Sequence, residues 1–83
     1  MQPRVKIYAL STCIHCKSTK RLLKDNSVAY ECIEVDLLAG AERDNAIEEV
    51  KKINPECSFP TIIIGDKIIV GFKEKELREM LGL

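Results

Sequence analysis

The sequence predicts an α/β protein with a four-stranded mixed sheet flanked by three helices, in the order β-α-β-α-β-β-α. Three observations support this fold class. Four short runs are rich in Val, Ile and Tyr, which favour strands. Apolar residues recur at helical spacing in the other segments. A Gly-Asp pair separates two of the strand candidates, which is typical of a β-hairpin.

The first half of the chain predicts a β-α-β unit. Residues 4–10 are predicted as a strand and residues 14–25 as a helix, with Ser11 and Thr12 as the expected capping residues. Residues 30–35 alternate in polarity and are predicted as the second strand. Because a helix connects the two strands, we expect them to be parallel, with a right-handed crossover.

The first predicted helix has one apolar and one charged side. Its inner side carries Cys16, Thr19, Leu22 and Leu23. Its solvent side carries Lys17, Lys20, Arg21 and Lys24. This distribution is that of an amphipathic helix packed against a sheet.

The second half predicts two further helices and a hairpin. A helix over residues 41–53 has an apolar stripe and ends at Asn54, because Pro55 follows. The stripe consists of Ala46, Ile47, Val50 and Ile53. Residues 61–64 and 67–70 form the hairpin. The last helix is predicted near residues 74–81, with Leu77, Met80 and Leu81 facing inward.

Length and composition favour one soluble domain spanning residues 1–83. The 13 basic and 13 acidic residues balance, so we expect neither nucleic acid nor an anionic membrane as a partner. No apolar stretch approaches the ~20 residues that cross a bilayer. The start of the chain lacks the long apolar segment of a secretion signal. We therefore expect a cytoplasmic protein, and a monomer.

The segment Cys13-Ile14-His15-Cys16 lies where the first strand ends and the first helix begins. Sulfurs at positions i and i+3 share one side of a helical turn and can bond. The positive end of the helix dipole favours a thiolate at Cys13, which we expect to be the nucleophile. Cys16, one turn further in, is expected to resolve the mixed disulfide.

Two cationic side chains are predicted to modulate this dithiol. Lys17 is four residues from Cys13 on the helix, and His15 stands between the two cysteines. An imidazolium near the sulfurs would favour the thiolate and so the reduced pair. This predicts a redox potential less reducing than thioredoxin's ~−270 mV, within or above about −200 to −230 mV. The alternative for His15 is a solvated side chain on a tight turn.

The other two cysteines do not suggest a disulfide framework, because a reducing compartment is expected. Cys32 is predicted as a small buried apolar residue in the second strand. Cys57, three residues before Pro60, is either another buried thiol or a partner in a secondary or regulatory disulfide. We expect no metal ligands, although four cysteines leave a metal or iron–sulfur carrier as an alternative.

The element order and four segments resemble the smallest form of the thioredoxin fold, and more narrowly a glutaredoxin. The segments are Ile7-Tyr8, Cys13-Ile14-His15-Cys16, Ser58-Phe59-Pro60-Thr61 and Val70-Gly71-Phe72. The resemblance implies a thiol–disulfide oxidoreductase that reduces protein disulfides or glutathione mixed disulfides. It implies no tightly bound cofactor, with glutathione as co-substrate. It also implies a cis peptide bond before Pro60 and a substrate or glutathione site at Ser58, Phe59, Pro60, Gly71, Phe72 and Lys73.

The chain departs from the glutaredoxin pattern around the expected glutathione site. Leu10 stands where the family commonly has Lys, and Ile14-His15 replaces Pro-Tyr. Gly71-Phe72-Lys73 replaces Gly-Gly followed by an acidic residue. That last segment is similar to the glutaredoxin-like hydrogen donors of ribonucleotide reductase, which thioredoxin reductase reduces. Glutathione and a flavoprotein reductase are therefore both expected electron sources. A binding module with an idle dithiol is a further alternative.

Overall fold

The computed structural model describes residues 4–83 of the chain. Residues 1–3, part of the start on which the expectation of a cytoplasmic protein rests, lie outside the described residues. The strands are β1 (Val5–Ala9), β2 (Glu31–Glu34), β3 (Thr61–Ile64) and β4 (Lys67–Val70). The helices are α1 (Ile14–Asp25), α2 (Gly40–Ile53) and α3 (Glu74–Leu81), with a short 3₁₀ turn at Val35–Leu37.

The four strands form one sheet in the order β2-β1-β3-β4. The β1 and β2 strands are parallel, with Ile7 opposite Cys32. The β1–β3 and β3–β4 pairs are antiparallel. This confirms the predicted element order, the mixed sheet and the parallel pair. The β1 strand is central, and its carboxyl end leads directly into the loop before Cys13.

Alternating side chains of β1 enter two apolar cores on opposite faces of the sheet. The larger core contains Ile7 and Ala9 of β1 together with side chains of α1 and α3, among them Leu23 and Leu77. The smaller core consists of Tyr8, Val35, Ala46 and Val50. Helices α1 and α3 therefore cover one face of the sheet, and α2 covers the other.

One aromatic side chain contacts both cores. Phe59, in the loop between α2 and β3, is partly buried and packs against the larger and the smaller core alike. Its position just before the inner strand β3 is thus determined by side chains from both faces of the sheet. The loop that it belongs to contains Ser58, Phe59 and Pro60, which the sequence resemblance assigns to the substrate or glutathione site.

Several details differ from the sequence predictions. Met80 is not inward but 37% exposed, because Leu77 and Leu81 alone occupy the buried side of α3. The prediction that Lys20 lies on the solvent side is also wrong, because its side chain is only 22% exposed and pairs with Glu34. The β2 strand is shorter than predicted at both ends, and the 3₁₀ turn follows it directly.

Candidate active site

Cys13 caps the helix that carries Cys16. The backbone of Cys13 is extended, and its sulfur accepts a hydrogen bond from the Cys16 N–H at 3.4 Å. The Cys13 N–H in turn donates to the carbonyl of Leu10 at 3.1 Å. The prediction that Ser11 or Thr12 caps this helix is therefore wrong. A sulfur at the cap position lies where unpaired N–H groups and the helix dipole favour negative charge.

The two sulfurs differ in accessibility. Cys13 is half-buried and packs against the rim of the larger core. Cys16 is 0% exposed and belongs to that core. A substrate can therefore reach Cys13, while Cys16 lies behind it, in the arrangement expected for a nucleophile and a resolving thiol.

The same arrangement separates the two pKa values. Burial alone would raise the pKa of Cys13, but hydrogen bonds from the Cys16 thiol and from the N–H groups of Cys16 and His15, with the Lys20 charge, lower it overall. Burial and the neighbouring Cys13 raise the pKa of Cys16 to about 12. The more accessible sulfur is thus the more acidic one.

The ammonium of Lys20, which the sequence predicted to lie in solvent, favours the thiolate of both cysteines. The Lys20 ammonium lies 2.7 Å from a carboxylate oxygen of Glu34 on β2, and both side chains are mostly buried. Its charge favours the thiolate of both cysteines, but this contribution is smaller than those of burial and hydrogen bonding, and the pKa of Cys16 stays raised. Lys20 follows Cys16 by four residues on α1, so the two share a face of the helix. The ion pair with Glu34 holds the ammonium on that face.

The loop before Cys13 is tied to the turn after β2. The Ser11 N–H donates to one carboxylate oxygen of Asp36 at 2.8 Å, and the Ser11 hydroxyl donates to the other at 2.5 Å. These two bonds lower the pKa of Asp36. Ser11 is therefore used to fix the loop, which is why it does not cap the helix.

The Phe59–Pro60 peptide bond is cis, which confirms the bond that the sequence resemblance implies. Pro60 is buried, and its carbonyl accepts a hydrogen bond from the Gly71 N–H at 2.8 Å. Within residues 4–83, the N–H and C=O of Phe59 have no hydrogen-bond partner. These two groups are therefore available to a molecule that docks beside Pro60.

Comparison with known proteins identifies the family. The family model described as Glutaredoxin matches residues 5–69, which include the dithiol, the Pro60 loop and the central sheet. The chain belongs to the glutaredoxin family. This glutaredoxin is 52% identical to the methanoredoxin of Methanosarcina acetivorans, with a TM-score of 0.93 over 99% of this chain and 87% of that one.

Two further relatives support the assignment. The glutaredoxin of Methanosarcina mazei Go1 is 55% identical, with a TM-score of 0.87 over 98% of this chain and 80% of that one. An uncharacterized glutaredoxin-like 8.6 kDa protein in the rubredoxin operon of Clostridium pasteurianum is 31% identical over 93% of this chain and 96% of that one. The protein is thus a thiol oxidoreductase of the thioredoxin fold.

The predicted glutathione-site residues of this glutaredoxin occupy two neighbouring loops. Ser58, Phe59 and Pro60 precede β3, and the Gly71–Pro60 hydrogen bond joins them to the loop after β4. Gly71 has a φ of 85°, which favours glycine. The next two residues of that loop differ in burial. Phe72 is half-buried against the larger core, and Lys73 is exposed.

The modulating residues and the other cysteines of the glutaredoxin have distinct surroundings. His15 and Lys17 are exposed, and the influence of their side chains on Cys13 remains a prediction. Cys32 is only partly buried rather than buried as predicted; it packs against the larger core, and desolvation raises its pKa. Cys57 instead packs against the smaller core, with a positive φ of 52°.

Three residues at this site escaped the sequence interpretation. Lys20 belongs to a run of basic residues that appear equivalent in sequence, and only the position of Glu34 distinguishes it. Asp36 lies after the β2 strand, and no sequence motif marks it as the partner of Ser11. Asn54 was interpreted as a helix end, yet its side chain is buried among hydrogen-bond partners. An Asn at a helix end followed by Pro was the one available signal.

Residues 4–83 lack the features of two other site classes. No helix in this part of the chain is both long and apolar enough to span a membrane. Nor do three or more His, Cys, Asp or Glu side chains of these residues come together as ligands for a metal ion.

Proposed function

We propose that this glutaredoxin reduces protein disulfides or glutathione mixed disulfides, with Cys13 as nucleophile and Cys16 as resolving thiol. One observation carries the proposal: the accessible Cys13 sulfur accepts a hydrogen bond from the Cys16 N–H at the start of α1, while Cys16 is fully buried. This geometry supports one thiol that attacks and a second that reacts only within the protein.

In the first step, the Cys13 thiolate attacks one sulfur of the substrate disulfide. A Cys13–substrate disulfide forms, the substrate S–S bond breaks, and the other substrate sulfur leaves as a thiolate that takes a proton from solvent. The lowered pKa of Cys13 keeps a larger fraction of the attacking thiolate at neutral pH. The backbone N–H of Cys16 stabilises that thiolate before the attack.

In the second step, Cys16 loses its proton and attacks the Cys13 sulfur. The substrate leaves as a thiol, and the protein retains a Cys13–Cys16 disulfide, so two electrons have passed to the substrate. Burial and Cys13 both raise the Cys16 pKa. Once Cys13 is part of a mixed disulfide, its negative charge is gone, and the Lys20 charge then acts on Cys16 without that opposition.

The unpaired N–H and C=O of Phe59 support docking of an extended substrate segment beside Pro60. An extended peptide can form β-type hydrogen bonds with two such groups. Ser58, Pro60 and the Gly71-Phe72-Lys73 segment would flank this position. We propose the same two loops as the binding place for glutathione, the co-substrate that would reduce the Cys13–Cys16 disulfide.

A specific observation favours a second electron source. Leu10 and Phe72 are apolar and pack partly against the two cores, where a glutathione site commonly offers charged or small residues. This supports a glutathione-independent donor that a flavoprotein of the thioredoxin reductase type reduces, as in the hydrogen donors of ribonucleotide reductase. The thiol chemistry at Cys13 and Cys16 is the same in both cases.

The test supplies oxidised protein with NADPH and either glutathione plus glutathione reductase or thioredoxin reductase alone. NADPH consumption with glutathione supports the first source, and consumption with thioredoxin reductase supports the second. The Cys13→Ser variant is the control, because it keeps the fold and lacks the nucleophile. Failure to reduce a protein disulfide with either system would contradict the proposal and leave a binding module with an idle dithiol.

A monomer in the cytoplasm is the setting that we propose for this activity. Reduction through a dithiol requires a compartment that regenerates thiols, as the cytoplasm does. An iron–sulfur carrier would instead need Cys13 of two chains to share a cluster. Visible absorbance of the purified protein, and a doubled mass in solution, would support the carrier and contradict the monomer.

A further inference from the structure

We propose that Asn54 is a positioning residue that sets the orientation of the Phe59 backbone for peptide substrates. This inference rests on the proposed function, because it assumes that an extended substrate pairs with Phe59. It adds a substrate preference. The binding of disulfides carried by a peptide depends on Asn54, and the reaction of small disulfides without amide groups does not.

Asn54 is held firmly by the helix that precedes it. It is the residue after α2, and its N–H donates to the Val50 carbonyl at 2.7 Å. The residue as a whole is only 5% exposed. Its carbonyl accepts the Cys57 N–H at 2.8 Å, which closes the turn that leads to the Pro60 loop. The amide group of Asn54 is therefore a fixed point at the base of this loop.

The Asn54 side chain binds the chain on both sides of the Phe59-Pro60 segment. Its Nδ2 group lies 3.2 Å from the Ser58 carbonyl, 3.1 Å from the Ser58 hydroxyl and 3.2 Å from the Thr61 hydroxyl. The Thr61 hydroxyl also donates to the Ser58 carbonyl at 2.8 Å. Thr61 is fully buried and Asn54 nearly so, and their mutual bond lies in the interior, whereas Ser58 is only partly buried.

The loop needs such support, because its backbone is not in a relaxed conformation. Cys57 has a φ of 52°, a region that residues other than glycine rarely adopt. Positions of this kind persist where surrounding contacts hold them. The bonds from Asn54 to Ser58 and Thr61 hold the segment immediately after Cys57.

The network leaves one residue unpaired between its two anchor points. Phe59 follows Ser58 and precedes Pro60, and its N–H and C=O have no partner within residues 4–83. A substrate backbone needs these two groups at a defined angle to form two hydrogen bonds at once. A loop without Asn54 would present them at variable angles, and peptide binding would weaken.

The test uses two probes with one leaving group, in a Cys16→Ser background. The first is a short linear peptide whose single cysteine is joined by a disulfide to thionitrobenzoate. The second replaces the peptide with a methyl group. In both, the Cys13 thiolate attacks the sulfur bonded to the peptide or methyl carbon, a new Cys13 disulfide forms, and coloured thionitrobenzoate leaves.

We expect Asn54→Ala to raise the half-saturating peptide concentration about tenfold, the size expected for losing a buried hydrogen-bonding group. The limiting rate and the rate with the methyl probe should stay within about twofold of the parent, since the fixed Cys13 chemistry is unchanged. The matched control is Asn26→Ala. Asn26 follows α1 at the opposite end of the helix from Cys13, and its Nδ2 donates to the Leu22 carbonyl at 2.8 Å.

A second pair of variants tests the same hydrogen-bond network at Thr61, in case Asn54→Ala does not fold. Thr61→Val removes the hydroxyl and should raise the half-saturating peptide concentration as Asn54→Ala does. Thr61→Ser keeps the hydroxyl and should restore binding to near the parent value. If Asn54→Ala does not fold, this pair decides the question.

The outcomes separate the inference from the proposed function. Equal losses with both probes would show that Asn54 only stabilises the fold, and unchanged peptide binding in folded variants would show that it does not position Phe59. Either result overturns the inference. No thionitrobenzoate release from either probe by the Cys16→Ser parent would overturn the proposed function itself, and the inference with it.

Discussion

The Cys16 N–H donates a hydrogen bond to the Cys13 sulfur at 3.4 Å, so the first cysteine caps the helix that holds the second. Oxygen-bearing side chains usually occupy this position. A thiolate there gains both the hydrogen bond and the favourable helix dipole. The bond therefore couples the start of α1 to the charge of the Cys13 sulfur.

The first prediction concerns the pH dependence of alkylation. Because the pKa of Cys13 is lowered, its reaction with iodoacetamide should reach half its maximal rate at a lower pH than that of an unperturbed thiol. Cys16, with a pKa of about 12 and full burial, should remain unmodified across the neutral range. Mass spectrometry of digested samples distinguishes the two sites. A Cys13 midpoint at or above the ordinary value would contradict the site geometry.

The second prediction assigns the cationic effect to Lys20. Replacement of Lys20 by Met should reduce the Cys13 attack rate at neutral pH about threefold, as expected for one charge partly screened by solvent. Lys24→Met is the matched control on the same helix, because Lys24 is exposed. Stopped-flow measurement with Ellman's reagent gives the rates. A larger loss in Lys17→Met would instead support the residue that the sequence interpretation chose.

The third prediction concerns His15 and the redox potential. The potential should be less reducing than about −270 mV, and His15→Tyr should make it more reducing because the imidazolium no longer favours the thiolate. Equilibration against defined ratios of reduced and oxidised glutathione measures both proteins. Since the His15 N–H also contributes to the Cys13 pKa through the backbone, the substitution tests the side chain alone. An unchanged potential would exclude the imidazole from the mechanism.

The fourth prediction tests the larger core. Leu23 is 0% exposed, so Leu23→Ala should lower the free energy of unfolding by about 2–5 kcal/mol. The neighbouring exposed residue Lys24 provides the control. Lys24→Ala should change the free energy of unfolding by no more than about 0.5 kcal/mol. Urea denaturation of the reduced proteins measures both. Similar midpoints for Leu23→Ala and the parent would contradict the packing of α1 on the sheet.

Much of the fold was predictable because local patterns and tertiary packing agree. The α1 helix, the β3–β4 hairpin and α3 have the predicted boundaries, since each combines strong periodicity with clear end signals. The Cys13–Cys16 pair was equally visible. The exposure of Met80 was not predictable from the sequence. Helical spacing marks an apolar stripe that is wider than the face of α3 that packs against the sheet. Lys20 and Asn54 depend on partners distant in sequence or hidden in a turn, and no local pattern shows such partners.

Phe59 packs against the apolar side chains on both faces of the sheet, and its backbone N–H and C=O have no hydrogen-bond partner within residues 4–83. A substitution deep in either half of the interior, even one far from any sulfur, would therefore shift this ring and with it the two amide groups that meet a partner. Selectivity between partners could change in this way during evolution or engineering without any replacement at the reactive surface.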